Sequence, residues 1–233
     1  MGCENEKVNE MEFDVRKTMT ELGGAFAVTW LVFGITVWSD ATDMTAGTNV
    51  VGLGLASVGG VLAMAIAWMA FKGADILPPV TWMKHMSNTD NLSDVDAWIN
   101  TVITLVTQIV GAALAIFLMA EITADYVTYE IAHAGGQEEW AFDAMTVMSI
   151  VAAGAVLGHI SSKVDSVWAM PVAVMAMAGI INFESAADMA SMIMNDTGDM
   201  MAVAVPWIVD GICVGAGALI GGMIDENLPG EEE

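Results

Sequence analysis

Lysine and arginine are nearly missing from this chain: 6 of 233 residues, against 29 aspartates and glutamates, for a formal net charge of −23. So acidic a balance argues against nucleic-acid binding and against docking on anionic lipid. Cysteine is scarce as well. Cys3 lies near the start and Cys213 inside an apolar stretch, so two free thiols are expected rather than a disulfide. Charge of either sign is low, at 15% of residues, while 56% are hydrophobic. That excludes an ordinary soluble domain and indicates a membrane protein. His85, His133 and His159 are scattered, with no ligand spacing for a metal cage. Glycine-rich phosphate loops, nucleophile elbows and catalytic triads are absent. No metal, cofactor or enzymatic activity is therefore expected. The acidic N-terminal stretch also lacks the order of a cleavable signal, and Glu6 stands where myristoylation wants Ser or Thr.

What basic residues there are carry topology. Lys7, Arg16 and Lys17 precede the first apolar stretch, Lys72 and Lys84 lie between the second and third, and Lys163 lies between the fourth and fifth. The intervening loops on the other side, Ser39 to Asn49, Asp125 to Trp140 and Asn195 to Asp199, have none. Lys and Arg accumulate in cytoplasmic loops, so six crossings with both termini cytoplasmic are expected in a cell membrane. About 20 apolar residues span the hydrocarbon core. The candidates run roughly Leu22–Trp38, Val50–Phe71, Trp98–Glu121, Phe142–Ile160, Val167–Phe183 and Met201–Ile224. Tails are assigned to 1–19 and 225–233. Trp30, Trp38, Trp68, Trp98, Trp140, Trp168 and Trp207 lie mostly near segment ends, as interfacial anchors do. Dense Gly and Ala within the spans predict close helix packing.

Two short segments, Pro78–Asn88 and Ser185–Met194, follow the second and fifth spans and are too short to cross. Pro78-Pro79 suits a helix start, where missing N–H groups cost nothing. Each half thus reads span, span, short helix, span, over about 20–121 and 141–224. A three-span repeat must invert in the membrane, so the short helices enter from opposite faces and meet near the middle. Broken helices at matching positions of inverted repeats point to a transport site, and such backbone needs a cavity or protein around it.

Gly73-Ala74-Asp75-Ile76-Leu77-Pro78-Pro79-Val80-Thr81 resembles the first pore loop of the aquaporin and glycerol-facilitator family, Gly-Ala-His-x-Asn-Pro-Ala-Val-Thr. Glu21-x-x-Gly24-Ala-Phe is similar to the family's first-helix Glu-x-x-Gly-Thr-Phe, and Gln108-x-x-Gly111-Ala to its third-helix Gln-x-x-Gly-Ala. The second half matches by layout, with Glu184-Ser185-Ala186-Ala187 where the family has Asn-Pro-Ala-Arg. The resemblance implies an all-α membrane protein with six transmembrane helices, two re-entrant half-helices and inverted three-helix repeats. It also implies a homotetramer with one pore per protomer, passing water or a small uncharged solute such as glycerol, urea or ammonia.

By the same resemblance, the half-helices start at Leu77, Pro78, Pro79 and at Glu184, Ser185, Ala186. The selectivity filter falls near Ser57, Val172 and Ala187, wider and less polar than a strict water filter and without its fixed positive charge. Glu21 is the structural carboxylate that accepts loop N–H groups, with Asp143 as its loose counterpart in the second half. Asp210 and Gln108, inside spans, are expected to hydrogen-bond between helices. Two meeting helix N-termini supply about +1 charge. An ionised Glu184 offsets it; a Glu184 kept neutral by low dielectric preserves the barrier to cations. Glu184 facing away as a helix cap is the plainer reading. The twenty methionines include the cluster Met189, Met192, Met194, Met200 and Met201, read as adaptable packing rather than copper ligands. A cation-permeable channel on the same scaffold, and a non-conducting subunit plugged by Leu77 and bulky Met and Trp side chains, are the alternatives.

Overall fold

A computed structural model of the chain describes residues 14–41, 55–123, 141–177, 186–195 and 200–227. Eight α-helices run through them: α1 (Val15–Ala41), α2 (Leu55–Ala70), α3 (Pro78–Ser87), α4 (Val95–Thr123), α5 (Ala144–Lys163), α6 (Ala169–Met177), α7 (Ala186–Asn195) and α8 (Met200–Asn227). The expected long stretches hold α1, α2, α4, α5, α6 and α8; the two short segments are α3 and α7. The stretches Val95–Met119, Ala144–Lys163 and Ala204–Asn227 are each long and apolar enough to cross a membrane. Val102, Val106, Val110, Leu114 and Phe117 form an exposed ridge along α4 at helical spacing. Such a ridge is a liability in water and is at ease against lipid tails. The chain is an integral membrane protein.

Local chemistry sets the helix ends. Asp14 starts α1 by accepting the Lys17 N–H at 2.9 Å, so the helix begins inside the stretch assigned to the tail. After α3, the Asn91 side-chain amide donates to the His85 carbonyl at 3.2 Å. A 3-10 turn over Thr89–Ser93 then leads into α4. Asp143 caps α5: the Thr146 hydroxyl and N–H donate to it at 2.6 and 2.9 Å. Those bonds, the hydroxyl's foremost, hold the exposed carboxyl below its ordinary value. The folded-state value lies below the unfolded one, so the cap's contribution is complete at neutral pH and vanishes as pH falls through the folded-state value. Asp143→Ala should therefore lower the thermal midpoint at pH 7, and the difference from wild type should shrink towards zero in acid.

Packing is crossed between the halves. Helix α1 lies along α4 and α5 along α8, while α3 packs on α8 and α7 on α4. Gly111 brings α4 onto the Leu22 carbonyl and Phe26 nitrogen of α1, and Gly217 brings α8 onto the Val151 carbonyl and Ala155 nitrogen of α5. Matching these two approaches places Ile150 where Glu21 stands and Val214 where Gln108 stands. Both are buried and apolar. Asp143 is thus a solvent-facing cap and not the second-half counterpart of Glu21.

The largest core cluster surrounds α3, joining its Val80 and Met83 to Ile76, Val28, Met64, Leu157, Val174 and Val214. Trp207, expected at a membrane interface, is buried with Trp82, Leu105 and Met189 where α3, α4, α7 and α8 meet. The crossed short helices leave a hollow between four elements that large side chains fill. Position along the segment gave no sign of it.

Candidate functional site

The segment from Phe71 to Leu77 turns the chain back from the end of α2 to the start of α3. Gly73 makes the turn with φ +91°, a region glycine enters freely. Ile76 also has a positive φ, +67°, which is strained for a β-branched residue at about 1–3 kcal/mol. Its side chain is fully buried, so the strain is held by packing and by one buried carboxylate. Glu21 Oε1 accepts the Asp75 N–H at 2.6 Å, and Oε2 accepts the Ile76 N–H at 3.1 Å. Gln108 Nε2 donates to Glu21 Oε2 at 3.0 Å and to Thr81 Oγ1 at 2.9 Å. Three elements, α1, α3 and α4, are thereby tied to one loop. Lys84 Nζ bonds Asp75 Oδ1 at 2.6 Å on the more open side, and the Trp68 indole donates to the Ala74 carbonyl at 3.2 Å.

Leu77 occupies the N-cap of α3 in extended conformation and gives no side-chain cap bond; Pro78 and Pro79 fill the first helical positions. Ala74 N–H goes to the Phe71 carbonyl, Leu77 N–H to the Asp75 carbonyl, and Val80 and Thr81 N–H to the Leu77 carbonyl. Asp75 and Ile76 N–H go to Glu21, and the prolines have none. No backbone N–H from Ala74 to Thr81 is left for a solute. The effective positive charge of a helix start resides on its unsatisfied N–H groups, so it is weakened here. The carbonyls of Gly73 and Ile76 accept no hydrogen bond among the described residues.

The remaining expected residues are dispersed. Ala186 is buried at the start of α7, and Ala187 packs partly buried against the cluster of Ala112, Ile116 and Met119. Val172 lies on α6, 51% exposed. Ser57 falls within α2, its side chain outside the described residues, as are Glu184 and Ser185 altogether. Asp75, Thr81 and Lys84 were not foreseen in their roles. Thr81 carried a signal in its place within the loop motif, whereas the Asp75–Lys84 pair arises only because the loop reverses.

No family model matches the chain, and no curated protein does. Its fold is similar to the crystal structure of the aquaglyceroporin from Plasmodium falciparum, with a TM-score of 0.59 at 13% identity over 92% of this chain and 96% of that one. The fold is therefore aquaporin-like over nearly the whole length.

Proposed function

We propose that the chain is a passive membrane channel for water or a small uncharged solute such as glycerol, urea or ammonia. The observation that carries this reading is the likeness to an aquaglyceroporin across almost the entire chain. In this reading α1, α2, α4, α5, α6 and α8 cross the membrane in two inverted repeats, 20–121 and 141–224, with tails 1–19 and 225–233. The termini lie in the cytoplasm, by the distribution of the basic residues, and four copies assemble in the cell membrane. Helices α3 and α7 enter from opposite faces. The reciprocal packing of α3 on α8 and of α7 on α4 supports that arrangement.

The pathway passes the starts of the half-helices, Leu77-Pro78-Pro79 and Glu184-Ser185-Ala186, and a filter formed by Ser57, Val172 and Ala187. Glu21 acts by positioning the loop. A solute finds carbonyl acceptors only where that loop is open, at Gly73, and apolar walls elsewhere. Neutral molecules with O–H or N–H groups suit such a lining, since they donate to the carbonyls without bringing a charge into low dielectric.

The absence of free N–H donors at the α3 start favours a second reading, in which cations also pass. Acceptors without opposing donors are what a dehydrated cation needs, and Glu184 adds to them. In that case Glu184→Gln abolishes the cation flux.

Cysteine labelling tests the pathway. In a chain carrying Cys3→Ser and Cys213→Ala, Ala187→Cys should react with an aqueous thiol reagent, and a bulky adduct there should cut solute flux at least about tenfold. A Cys that stays inert, or one that reacts without altering flux, removes Ala187 from the pore wall.

A further inference from the structure

The scarcity of basic residues makes their placement informative. Two adjoining cavities open beside the loop that precedes α3, one of about 410 Å³ lined by Lys17, Asp75, Lys84 and Asn100 among others. The second, of about 220 Å³, is lined by Asp14, Arg16, Lys17 and Lys72. Lys17 and Gly73 border both, so the two form one concavity between the start of α1, the end of α2 and the first turns of α4. Four of the chain's six basic residues surround it.

The carboxylates nearby are already engaged. Asp75 pairs with Lys84 at 2.6 Å, Asp14 caps α1, and Glu21 lies buried under the loop with three N–H donors. Arg16, Lys17 and Lys72 are in no ion pair among the described residues. On a chain of net charge −23, this concavity carries a local positive excess, and its volume far exceeds the ~30 Å³ of one water. It lies at the ends of α1 and α2, the level at which lipid headgroups meet a membrane protein.

We propose that this concavity binds a phosphate-bearing anion, a lipid headgroup or free phosphate, through Lys17, Lys72 and Arg16, with Asn100 supplying a neutral donor. The site lies beside the loop that Glu21 holds, so occupancy stiffens the segment leading into α3. It also reverses, locally, what overall composition implies about anionic lipid. The site does not depend on what the channel conducts.

Thermal unfolding of the full-length purified protein in neutral detergent tests it. The probes are phosphatidylglycerol, phosphatidylcholine, and sodium phosphate against sodium chloride of equal ionic strength. Wild type is compared with the Lys17→Gln/Lys72→Gln double variant, whose exposed positions should leave the unliganded fold intact. Stabilisation by phosphatidylglycerol but not phosphatidylcholine identifies a lipid headgroup; stabilisation by phosphate over chloride identifies the free ion. In either case the apparent affinity should fall about fivefold per lysine removed, roughly 25-fold in the double variant. No stabilisation by either anion, equal stabilisation by both lipids with no phosphate effect, or an unchanged response in the variant overturns the proposal.

Discussion

Glu21→Ala should destabilise the protein by about 3–9 kcal/mol and remove its flux. The carboxylate is fully buried and is the sole partner of two loop N–H groups, with the Gln108 amide as its third donor. Truncation strands three buried donors, each costing about 1–3 kcal/mol, and releases the strained Ile76. Glu21→Gln separates hydrogen bonding from side-chain volume. The amide keeps one acceptor oxygen but turns an NH2 group on a loop or Gln108 donor, so it should fall between wild type and alanine. Unfolding followed by tryptophan fluorescence measures both. A glutamine variant as stable as wild type would mean that the loop does not depend on two acceptor oxygens.

Gly217→Leu should be comparably damaging, for a steric reason. A side chain there falls directly on the Val151 carbonyl of α5, backbone that can yield only if the two helices part. Overpacking of this kind costs about 3 kcal/mol at the upper end of its usual range. Because α8 also carries α3, the displacement reaches the loop. Gly222 is the control. Nothing lies within 4 Å of a Cβ built on it, so Gly222→Ala should be neutral or stabilising by up to about 1 kcal/mol, from helix propensity alone. Equal effects at the two glycines would remove close approach as the reason for Gly217.

These two sites also mark how much was legible in the sequence. Helix positions were, because long apolar runs broken by polar loops leave few choices, and Pro78-Pro79 marks the start of α3. Glu21 and Gln108 were legible as hydrogen-bonding groups inside apolar segments, where a polar side chain without partners is costly. Their shared partner, the loop with Thr81, was visible only as a motif. The second half was not legible in the same way. Its counterpart of Glu21 is Ile150, so no polar signal exists, and Asp143, acidic and near the right helix, is instead the cap of α5. The lost N–H donors of α3 follow from backbone bonds to Glu21 and to the Leu77 carbonyl. Hydropathy cannot show where a carbonyl points. Trp207 was misplaced for a similar reason: nearness to a segment end does not reveal which face of α8 meets α3.

The most direct measurement is paired flux in liposomes reconstituted with the full chain. Stopped-flow light scattering follows water, glycerol and urea, and an encapsulated dye follows potassium. Permeability to at least one uncharged solute well above that of protein-free liposomes, with no potassium signal, is the expected result. Potassium flux without solute flux, or liposomes no more permeable than bare lipid to all four, contradicts an uncharged-solute channel.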